Sequence, residues 1–574
     1  MSVETLITDH IAIWSSALQT RSTAGRGSNG KIDLYGIKKL RELILELAVR
    51  GKLVPQDPND EPASELLKRI AAEKAELVKQ GKIKKQKSLP EISEDEKPFE
   101  LPSGWEWVRL IDIMADIHYG YTASADETKE IKLLRITDIQ DDKVNWETVP
   151  GCDISEKMTE QYKLINNDIV IARTGGTVGK SYLVEDINVS SVFASYLIRL
   201  KYLSPMQAGF TKIFLGSQLY WKQLYDGTSG TGQPNVNGNT LKAIILPIAP
   251  ISEQHKVISK VDELMSLCDQ LEQQSLSSLD AHQQLVETLL ATLTDSQNAE
   301  QLADNWARIS QYFDTLFTTE ASIDALKQTI LQLAVMGKLV PQDPNDEPAS
   351  ELLKRIEQEK AQWVKEGKIK KQKPLPPVSD EEKPFELPQG WKWCRLGHCI
   401  HLISGQHLKP NEYTENIIEG AIPYITGPAE FGELNPTHSK FTIEKRAVAD
   451  PKDILITCKG AGLGKLNVAN IEIAISRQLM AIRTVRANCD YFKLLLSSMY
   501  DYFQGKGVGI AIPGISREDV IEPVISLPPL DEQERIVLEV NALFGTCERL
   551  KLRLQSAQQT QLYLADALTE VALN

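Results

Sequence analysis

Apolar residues recur at alternating spacings of four and three along two stretches of the chain. In the tail this seam consists of Ile536, Val540, Leu543, Cys547, Leu550, Leu554, Ala557, Gln561, Leu564 and Leu568. A related seam consists of Val257, Val261, Leu264, Cys268 and Leu271, slips near Ser275, and resumes with Leu276, Leu279, Val286, Leu290 and Leu293. A sustained heptad seam predicts a long helix that packs against a partner helix. We therefore expect Glu253–Leu293 and Glu532–Leu568, each roughly 60 Å long, to form an antiparallel coiled coil.

Two other regions carry short β-rich segments separated by glycine-rich turns, which indicates compact α+β domains. The predicted strands lie in Ile131–Ile136, Asp168–Arg173, Ser191–Leu200, Asp453–Thr457 and Ile471–Arg483. Short helices are predicted within Gln207–Tyr225 and Tyr491–Gln504. The fold class expected for the whole chain is α+β, with two such domains separated by the long helices.

An internal repeat organises the chain. At a shift of 286, residues Leu47–Leu110 match Leu333–Leu396 without a gap, and fifty of these 64 positions are identical. Gly51–Ile70 and Gly337–Ile356 share all twenty residues, GKLVPQDPNDEPASELLKRI. A weaker repeat relates the starts of the two long helices at a shift of 279. The pattern predicts a pseudo-twofold framework that does one job twice, whereas a recent duplication is the alternative explanation.

The segments between the framework copies have diverged, and we call them the first insert, residues 103–250, and the second insert, residues 389–530. The predicted domain order is a helical region 1–102, the first insert, a central framework 251–388, the second insert, and a helical tail 531–574. Two diverged inserts between near-identical frames predict two different tasks of one kind.

Composition narrows the class of protein. The 574 residues are 42% hydrophobic and 25% charged, which is ordinary for a globular protein. The net charge of −14 argues against binding nucleic acid by overall charge alone. The seven Cys residues are scattered, and no apolar run reaches the roughly 20 residues of a membrane helix. These features predict a cytoplasmic protein with reduced thiols and no membrane partner.

This order of two inserts within a duplicated framework resembles the specificity subunit of type I restriction-modification enzymes. The resemblance covers essentially the whole chain and rests on the two variable inserts, the duplicated framework, and the insert ends at Ser229–Gln254 and Gly505–Gln533. It implies that each insert is a target-recognition domain for one half of a split sequence in double-stranded DNA. It also implies that the framework holds two methyltransferase (modification) subunits, which restriction subunits with ATP-dependent translocase and nuclease activity join.

The same resemblance implies that the chain is not itself an enzyme and needs no cofactor. S-adenosylmethionine, ATP and Mg²⁺ would then serve the partner subunits. Two readings from other classes remain: a coiled-coil scaffold whose inserts bind proteins, and a self-contained enzyme.

The motifs typical of enzymes give little support to the hypothesis of a self-contained enzyme. Gly175–Ser181 resembles a phosphate-binding loop, but its glycine spacing is one residue short of G-x-x-x-x-G-K-[ST]. A glycine turn that presents Lys180 to a DNA phosphate, or a plain turn, is the alternative. Cys394, His398, Cys399 and His401 could suggest zinc. The two cysteines align with Val108 and Ile113 of the other copy, which favours core packing.

Candidate DNA-binding residues lie on predicted loops at strand ends. Arg suits guanine, and Asn or Gln suits adenine, in the major groove. In the first insert the candidates are Tyr119, Tyr121, Thr122, Arg135, Thr137, Asp138, Arg173, Thr174, Lys180, Gln233 and Asn235. In the second insert they are Gln406, His407, Lys409, Thr426, Lys459, Lys465 and Lys506. For each residue a turn or solvent role is the alternative, and no catalytic or metal-binding residue is predicted.

Overall fold

A computed structural model describes residues 3–21, 31–86, 89–140, 142–203, 207–226, 236–460, 462–506 and 514–573. Within this part of the chain two compact units are found. The first unit contains residues 31–277 with both chain ends, and the second contains residues 278–556. None of the helices in the described ranges is both long and apolar enough to cross a membrane.

The framework is helical. Its amino-terminal part contains α1 (Val3–Thr8), α2 (Ile11–Ser16), β1 (Gln19–Arg21), β2 (Lys31–Asp33), α3 (Tyr35–Val49) and α4 (Ala63–Lys79). The segment 51–62 joins α3 to α4. Gly51 follows α3 with φ +65°, a conformation that glycine adopts without strain.

The first insert contains two four-stranded sheets and a short joining sheet. Its elements are β3 (Glu106–Arg109), β4 (Met114–Tyr119), β5 (Ala125–Asp126), β6 (Lys132–Leu134), β7 (Ile139–Gln140), β8 (Lys143–Val144), β9 (Gly151–Cys152), α5 (Glu156–Tyr162), β10 (Ile169–Ala172), β11 (Ser181–Leu183), β12 (Ser191–Phe193), β13 (Leu197–Tyr202), α6 (Ala208–Gly216), α7 (Gln218–Asp226), α8 (Gly238–Ala243) and β14 (Ile245–Ile248). One sheet has the antiparallel order β11-β10-β13-β4, and the other has the order β12-β6-β9-β5 with β12 parallel to β6. Strands β3 and β14, at the two ends of the insert, pair with each other.

The central framework follows with α9 (Ile251–Thr294), α10 (Ala299–Gln311), α11 (Phe313–Leu316), α12 (Glu320–Val335) and α13 (Ala349–Lys365). Helices α12 and α13 occupy the repeat positions of α3 and α4. Helices α10 and α11 are additions that the heptad pattern does not predict.

The second insert repeats the topology of the first. Its elements are β15 (Lys392–Arg395), α14 (Leu396–Cys399), β16 (Ile400–Ser404), β17 (Ile422–Ile425), β18 (Phe441–Thr442), β19 (Val448–Ala449), β20 (Ile454–Thr457), β21 (Leu466–Val468), β22 (Ile473–Ile475), β23 (Leu479–Thr484), α15 (Cys489–Ser498), α16 (Tyr500–Gly505), α17 (Arg517–Ile521) and β24 (Val524–Leu527). The order β16-β23-β20-β21 corresponds to β4-β13-β10-β11, and the parallel pair β17 and β22 corresponds to β6 and β12. The chain ends with α18 (Leu530–Leu573).

The two long helices run antiparallel within each unit. The start of α9 and the end of α18 belong to the first unit, and the end of α9 and the start of α18 belong to the second. In the second unit Val286, Leu290, Ile536 and Val540 share one hydrophobic core. The coiled coil predicted from the two seams, and with it the α+β fold class, is confirmed.

The seam differs from the prediction in two places. Leu276 is 44% exposed, so the first seam is buried again only from Val286. In α18 the buried position near the end is Ala565, whereas the predicted Ala557 and Leu564 are exposed. A straight helix drifts about 20° per heptad relative to a strict seven-residue repeat, and this drift carries the buried stripe across by one residue.

Candidate nucleic-acid interface

Three strand ends of the first insert meet at one edge of its antiparallel sheet. The Gly120 N–H, just after β4, donates to the Leu197 carbonyl at 3.1 Å. The Arg173 N–H, just after β10, donates to the Tyr196 carbonyl at 2.9 Å. Backbone hydrogen bonds therefore bring together a set of residues that we call the first strand-end face: Tyr119, Tyr121, Thr122, Arg173, Thr174, Ser195 and Tyr196.

Glycine makes this close crossing possible. A Cβ atom on Gly120 would collide with the carbonyl oxygens of Phe193 and Ala194. Immediately afterwards the Tyr121 N–H donates to the Phe193 carbonyl at 2.8 Å, and the Ser195 N–H donates back to Tyr121 at 3.0 Å. The backbone of this face is thus fixed independently of its side chains.

The side chains of the first face include three tyrosine rings and one arginine. Tyr119 and Tyr196 are 39% and 62% exposed. The Arg173 guanidinium lies over the Tyr119 ring, 4.7 Å from its centroid. The Tyr119 hydroxyl accepts a hydrogen bond from the Gly238 N–H at 2.9 Å, which holds the ring in place. A stacked Arg beside exposed aromatic rings can contact both phosphates and base edges.

The second insert builds the same crossing from different residues. The Gly405 N–H donates to the Leu479 carbonyl at 3.0 Å, and the Cys458 N–H donates to the Gln478 carbonyl at 2.8 Å. A Cβ atom on Gly405 would collide with the Ser476 carbonyl oxygen. The exposed side chains brought together here form the second strand-end face: Gln406, His407, Lys459, Arg477 and Gln478. Tyrosines dominate the first face, whereas amides and cations dominate the second.

In each insert, a carboxylate accepts hydrogen bonds within the loop that follows the parallel strand β6 or β17. Arg135 follows β6, and its guanidinium binds the Asp138 carboxylate through Nε at 3.0 Å and through a terminal nitrogen at 2.7 Å. The candidate DNA-binding residues Arg135 and Asp138 are thus bonded to each other. Thr137, which lies between them in the sequence, is exposed. In the second insert the Thr426 hydroxyl donates to Glu430 at 2.6 Å in the corresponding loop.

Two glycine turns are anchored by packing: the turn at Gly175–Ser181 and a similar turn of the second insert that contains Gly464 and Lys465. Gly179 has φ +84°, and a Cβ atom there would strike Leu224 of α7. The Tyr220 hydroxyl donates to the Gly179 carbonyl at 2.8 Å. Gly464 lies in the same way against Phe503. This geometry favours a structural turn over a nucleotide loop, and it leaves Lys180 and Lys465 exposed beside the turns.

The remaining candidates lie apart from the faces or outside the described residues. Lys409 is exposed in the loop after β16. Lys506 pairs with Asp519 at 3.0 Å and lies over the Tyr502 ring, and its bond to Asp519 raises the pKa of Lys506. Gln233 and Asn235 fall outside the described residues. DNA contact by any of the candidates stays a prediction.

Sequence reasoning missed the turns at Ser195–Tyr196 and Arg477–Gln478. The predicted β-rich segments Ser191–Leu200 and Ile471–Arg483 each contain two strands, which lie in different sheets and are separated by these turns. The missed signal was a polar pair, Arg477–Gln478, that interrupts an apolar run. Both turns lie at the centre of the strand-end faces.

A buried hydrogen bond attaches each insert to its long helix. The Trp105 indole N–H donates to the Glu253 carboxylate at 3.0 Å, and Gln56 donates to the same carboxylate at 3.1 Å. In the second unit Trp391 donates to Glu532 at 2.9 Å. Burial raises the pKa of both carboxyl groups, although the donated hydrogen bonds oppose the shift. These tryptophans position the inserts and do not reach the strand-end faces.

The two cysteines of the candidate zinc cluster lie in the core, whereas His398 is exposed and His401 is partly buried. Cys394 and Cys399 are buried with their sulfur atoms 3.6 Å apart. Burial lowers the pKa of His401 to about 4, so its ring is neutral at physiological pH. Over the described ranges, no group of three or more His, Cys, Asp or Glu side chains could hold a metal ion.

Comparison with known proteins identifies the family to which the chain belongs. The model of the type I restriction modification DNA specificity domain matches residues 102–281 and 388–555. The EcoAI and EcoEI type I restriction enzyme specificity subunits of Escherichia coli are 49% and 51% identical to this chain, in each case over 100% of both proteins. A solved structure described as the basis of complex assembly and conformational transition of the type I R-M system covers 83% of this chain and 99% of its own, with 20% identity and a TM-score of 0.49. The matches to both inserts and the full-length identity show that the chain belongs to the family of type I restriction enzyme specificity subunits.

Proposed function

We propose that each insert reads one half of a bipartite sequence in double-stranded DNA through its strand-end face. The observation that carries this proposal is that one backbone crossing, at Gly120 and at Gly405, presents two different sets of side chains. A constant scaffold with variable exposed groups suits two recognition tasks of one kind. Loops held on a rigid scaffold are also where binding residues concentrate.

The two faces differ in the base chemistry they can offer. Arg477 and Gln478 provide donors for guanine and adenine edges in the major groove. Arg173, stacked on Tyr119, provides one guanidinium, and Tyr196 provides a ring and a hydroxyl. We therefore propose that the two half-targets have different sequences.

The long helices are proposed to set the spacer between the half-targets. Helices α9 and α18 have 44 residues each, or roughly 66 Å at 1.5 Å per residue. Half-sites one turn of DNA apart require readers about 34–36 Å from each other. Helices of this length are long enough to supply such a separation.

Catalysis is proposed to belong to partner subunits, and the chain itself to be non-catalytic. The framework would dock two modification subunits that use S-adenosylmethionine, and restriction subunits that use ATP and Mg²⁺ would join them. With 14 Lys or Arg against 17 Asp or Glu in the first insert and 15 against 14 in the second, much of the phosphate contact would come from the partners. Cytoplasmic location likewise stays a prediction.

A DNA-shift assay with the chain and its modification subunit tests the proposal. A probe that carries the methylated target of the host should be retarded, and a probe with either half scrambled should not. Equal retardation of all probes, or of none, would favour a protein-binding scaffold. Calorimetry with ATP and with S-adenosylmethionine on the isolated chain should show no binding, whereas binding would favour a self-contained enzyme.

A further inference from the structure

A cavity of about 470 Å³ lies in the second unit, between the glycine turn of the second insert and the framework helix α12. Its lining includes Gln328, Pro428, Lys465, Leu466, Lys493 and Tyr500. Among the lining residues, all from the described ranges, none is acidic. Two lysines therefore share one cavity that has no carboxylate in its wall.

Backbone hydrogen bonds hold this cavity next to the second strand-end face. The Gly464 N–H donates to the Thr457 carbonyl at 2.8 Å, and the Thr457 N–H donates to the Lys465 carbonyl at 2.9 Å. Thr457 is the last residue of β20, and Lys459 of the second strand-end face follows two residues later. The cavity thus lies beside the side chains that are proposed to contact DNA.

The first insert has a lysine at the same place in its fold. Lys212 is the fifth residue of α6, which follows β13, and Lys493 is the fifth residue of α15, which follows β23. The Lys212 Nζ atom donates to the Ser181 carbonyl at 2.6 Å and to the Ser181 hydroxyl at 3.2 Å. It also pairs with the Asp142 carboxylate at 2.8 Å. The charge of Lys212 is therefore neutralised inside the first insert.

The second insert lacks the carboxylate that pairs with this lysine. Asp142 lies in the turn that joins β7 to β8. In the corresponding turn of the second insert, the Gly432 N–H donates to the Asn435 carbonyl at 3.1 Å. Leu434 occupies the place of Asp142 in that turn, and its side chain is largely exposed. The turn is retained, but its negative charge is lost.

Two further positions change in the same direction. Ser181 and Leu466 are the first residues of the corresponding strands β11 and β21, so a hydroxyl group is absent from the second insert. At the shift of 286, Glu42 of α3 corresponds to Gln328 of α12, so a carboxylate is absent as well. Across the part of the chain that the structure describes, Lys493 forms no ion pair. Since a cleft lined by one sign of charge attracts counter-ions, this arrangement favours an anion from outside the chain.

The lining suits a phosphate group. Lysine ammonium groups, tyrosine hydroxyls and glutamine amides are all side-chain groups that contact DNA phosphates. Lys465 and Lys493 supply two ammonium groups, and Tyr500 and Gln328 supply neutral donors. Because the cavity lies beside the second strand-end face, the phosphates of DNA bound there are the nearest source.

We propose that this cavity binds one backbone phosphate of the DNA that the second insert reads, through Lys465 and Lys493. In the first insert the internal pair of Lys212 and Asp142 replaces this contact. The inference rests on the proposed function, because it assumes that DNA binds at the second strand-end face. It adds a phosphate contact that only one of the two half-targets receives.

The salt dependence of DNA binding by the chain with its modification subunit tests the proposal. Fluorescence anisotropy measures it on a duplex that carries the methylated target of the host. Each neutralised phosphate contributes about 0.9 to the slope of log K against log salt concentration. Lys493→Gln should lower the slope by about that amount with base preference unchanged, whereas Lys493→Arg should keep the slope.

Lys212→Gln is the matched control. It removes the lysine at the same place in the first insert, where the charge is already paired, and it should leave the slope unchanged. The slope does not depend on the fraction of folded chain, so a loss of folding cannot imitate the loss of a phosphate contact.

Neutral methylphosphonate linkages locate the phosphate on the DNA. When phosphates are replaced one at a time, one position in the half-target of the second insert should weaken binding by the unmodified complex. The same replacement should cost the Lys493→Gln complex nothing, because the two changes remove one contact. Lys212→Gln should show no such coupling at any position.

Two results would overturn the inference: an unchanged slope with Lys493→Gln, or an equal decrease with Lys212→Gln. Calorimetry with inorganic phosphate on the complex without DNA tests the other source of the anion. Phosphate binding that Lys493→Gln abolishes, together with an unchanged DNA slope, would assign the cavity to a free anion and would also overturn the inference. An unmodified complex that does not discriminate its target would instead refute the proposed function.

Discussion

The Trp105 indole N–H donates to the buried Glu253 carboxylate at 3.0 Å, and so ties the first residues of an insert to the first turn of the long helix that follows it. Trp391 and Glu532 form the same bond at 2.9 Å. The joint is part of the repeat, because Gln56 and Gln342 complete it from the framework with equal distances of 3.1 Å. These bonds fix the orientation of each insert relative to the first turn of the long helix that follows it.

Removing the indole donor should weaken this joint. Trp105→Phe keeps an aromatic ring but leaves a buried carboxylate oxygen without its donor, which costs about 1–3 kcal/mol of unfolding free energy. Urea unfolding followed by circular dichroism measures the loss. Trp107→Phe is the control, because Trp107 is only half-buried and packs against Phe99. An equal loss in the two variants would mean that the bond to Glu253 contributes nothing specific.

The pH dependence of stability follows from Glu253. Because its pKa is raised in the folded chain, the folded state binds more protons than the unfolded state between about pH 4.5 and the raised pKa. The free energy of unfolding contributed by this group therefore falls as pH rises through that window, and is constant above it. Glu253→Gln removes the titration. Urea unfolding from pH 4 to 8 should show the unmodified chain losing stability relative to the variant across the window. A difference that grows in favour of the unmodified chain would contradict the sign.

Much of the framework was predictable because its signals are local and repeated. The heptad spacing located α9 and α18, and the matched pairs Glu253/Glu532 and Gln254/Gln533 marked where they begin. The strand-end faces were predictable only in part. Tyr121 and Arg173 were selected as loop residues, but the bonds that bring their neighbourhoods together join positions more than twenty residues apart. No local pattern encodes such a crossing.

The turn at Arg477–Gln478 should determine specificity in one half-target. A bidentate Arg–guanine contact is worth about 1–3 kcal/mol of discrimination. We expect Arg477→Ala to relax the methylated sequence at one base pair of one half and to leave the other half unchanged. Methylome sequencing of a host with the variant complex measures this. Lys445→Ala is the control, since Lys445 pairs with Glu472 at the opposite end of β22. Unchanged specificity in Arg477→Ala would exclude this turn from base reading.

The helical rod should set the spacer. Inserting one heptad at matched places in α9 and α18 lengthens the rod by roughly 10 Å at 1.5 Å per residue and keeps the apolar seam in register. On DNA this corresponds to about three base pairs at 3.4 Å each. The spacer between the half-targets should grow by about that much, with both half-targets unchanged and a lower rate tolerated. Full-rate methylation with the original spacer would show that the helices do not set the separation.

The central claim is that the two inserts read independently, each through its own face. Replacing residues 103–249 with the insert of a relative, within the full complex, tests it most directly. Methylome sequencing of a host with the hybrid should show one half of the bipartite target replaced and the other half retained. A change in both halves, or in neither, would contradict the account.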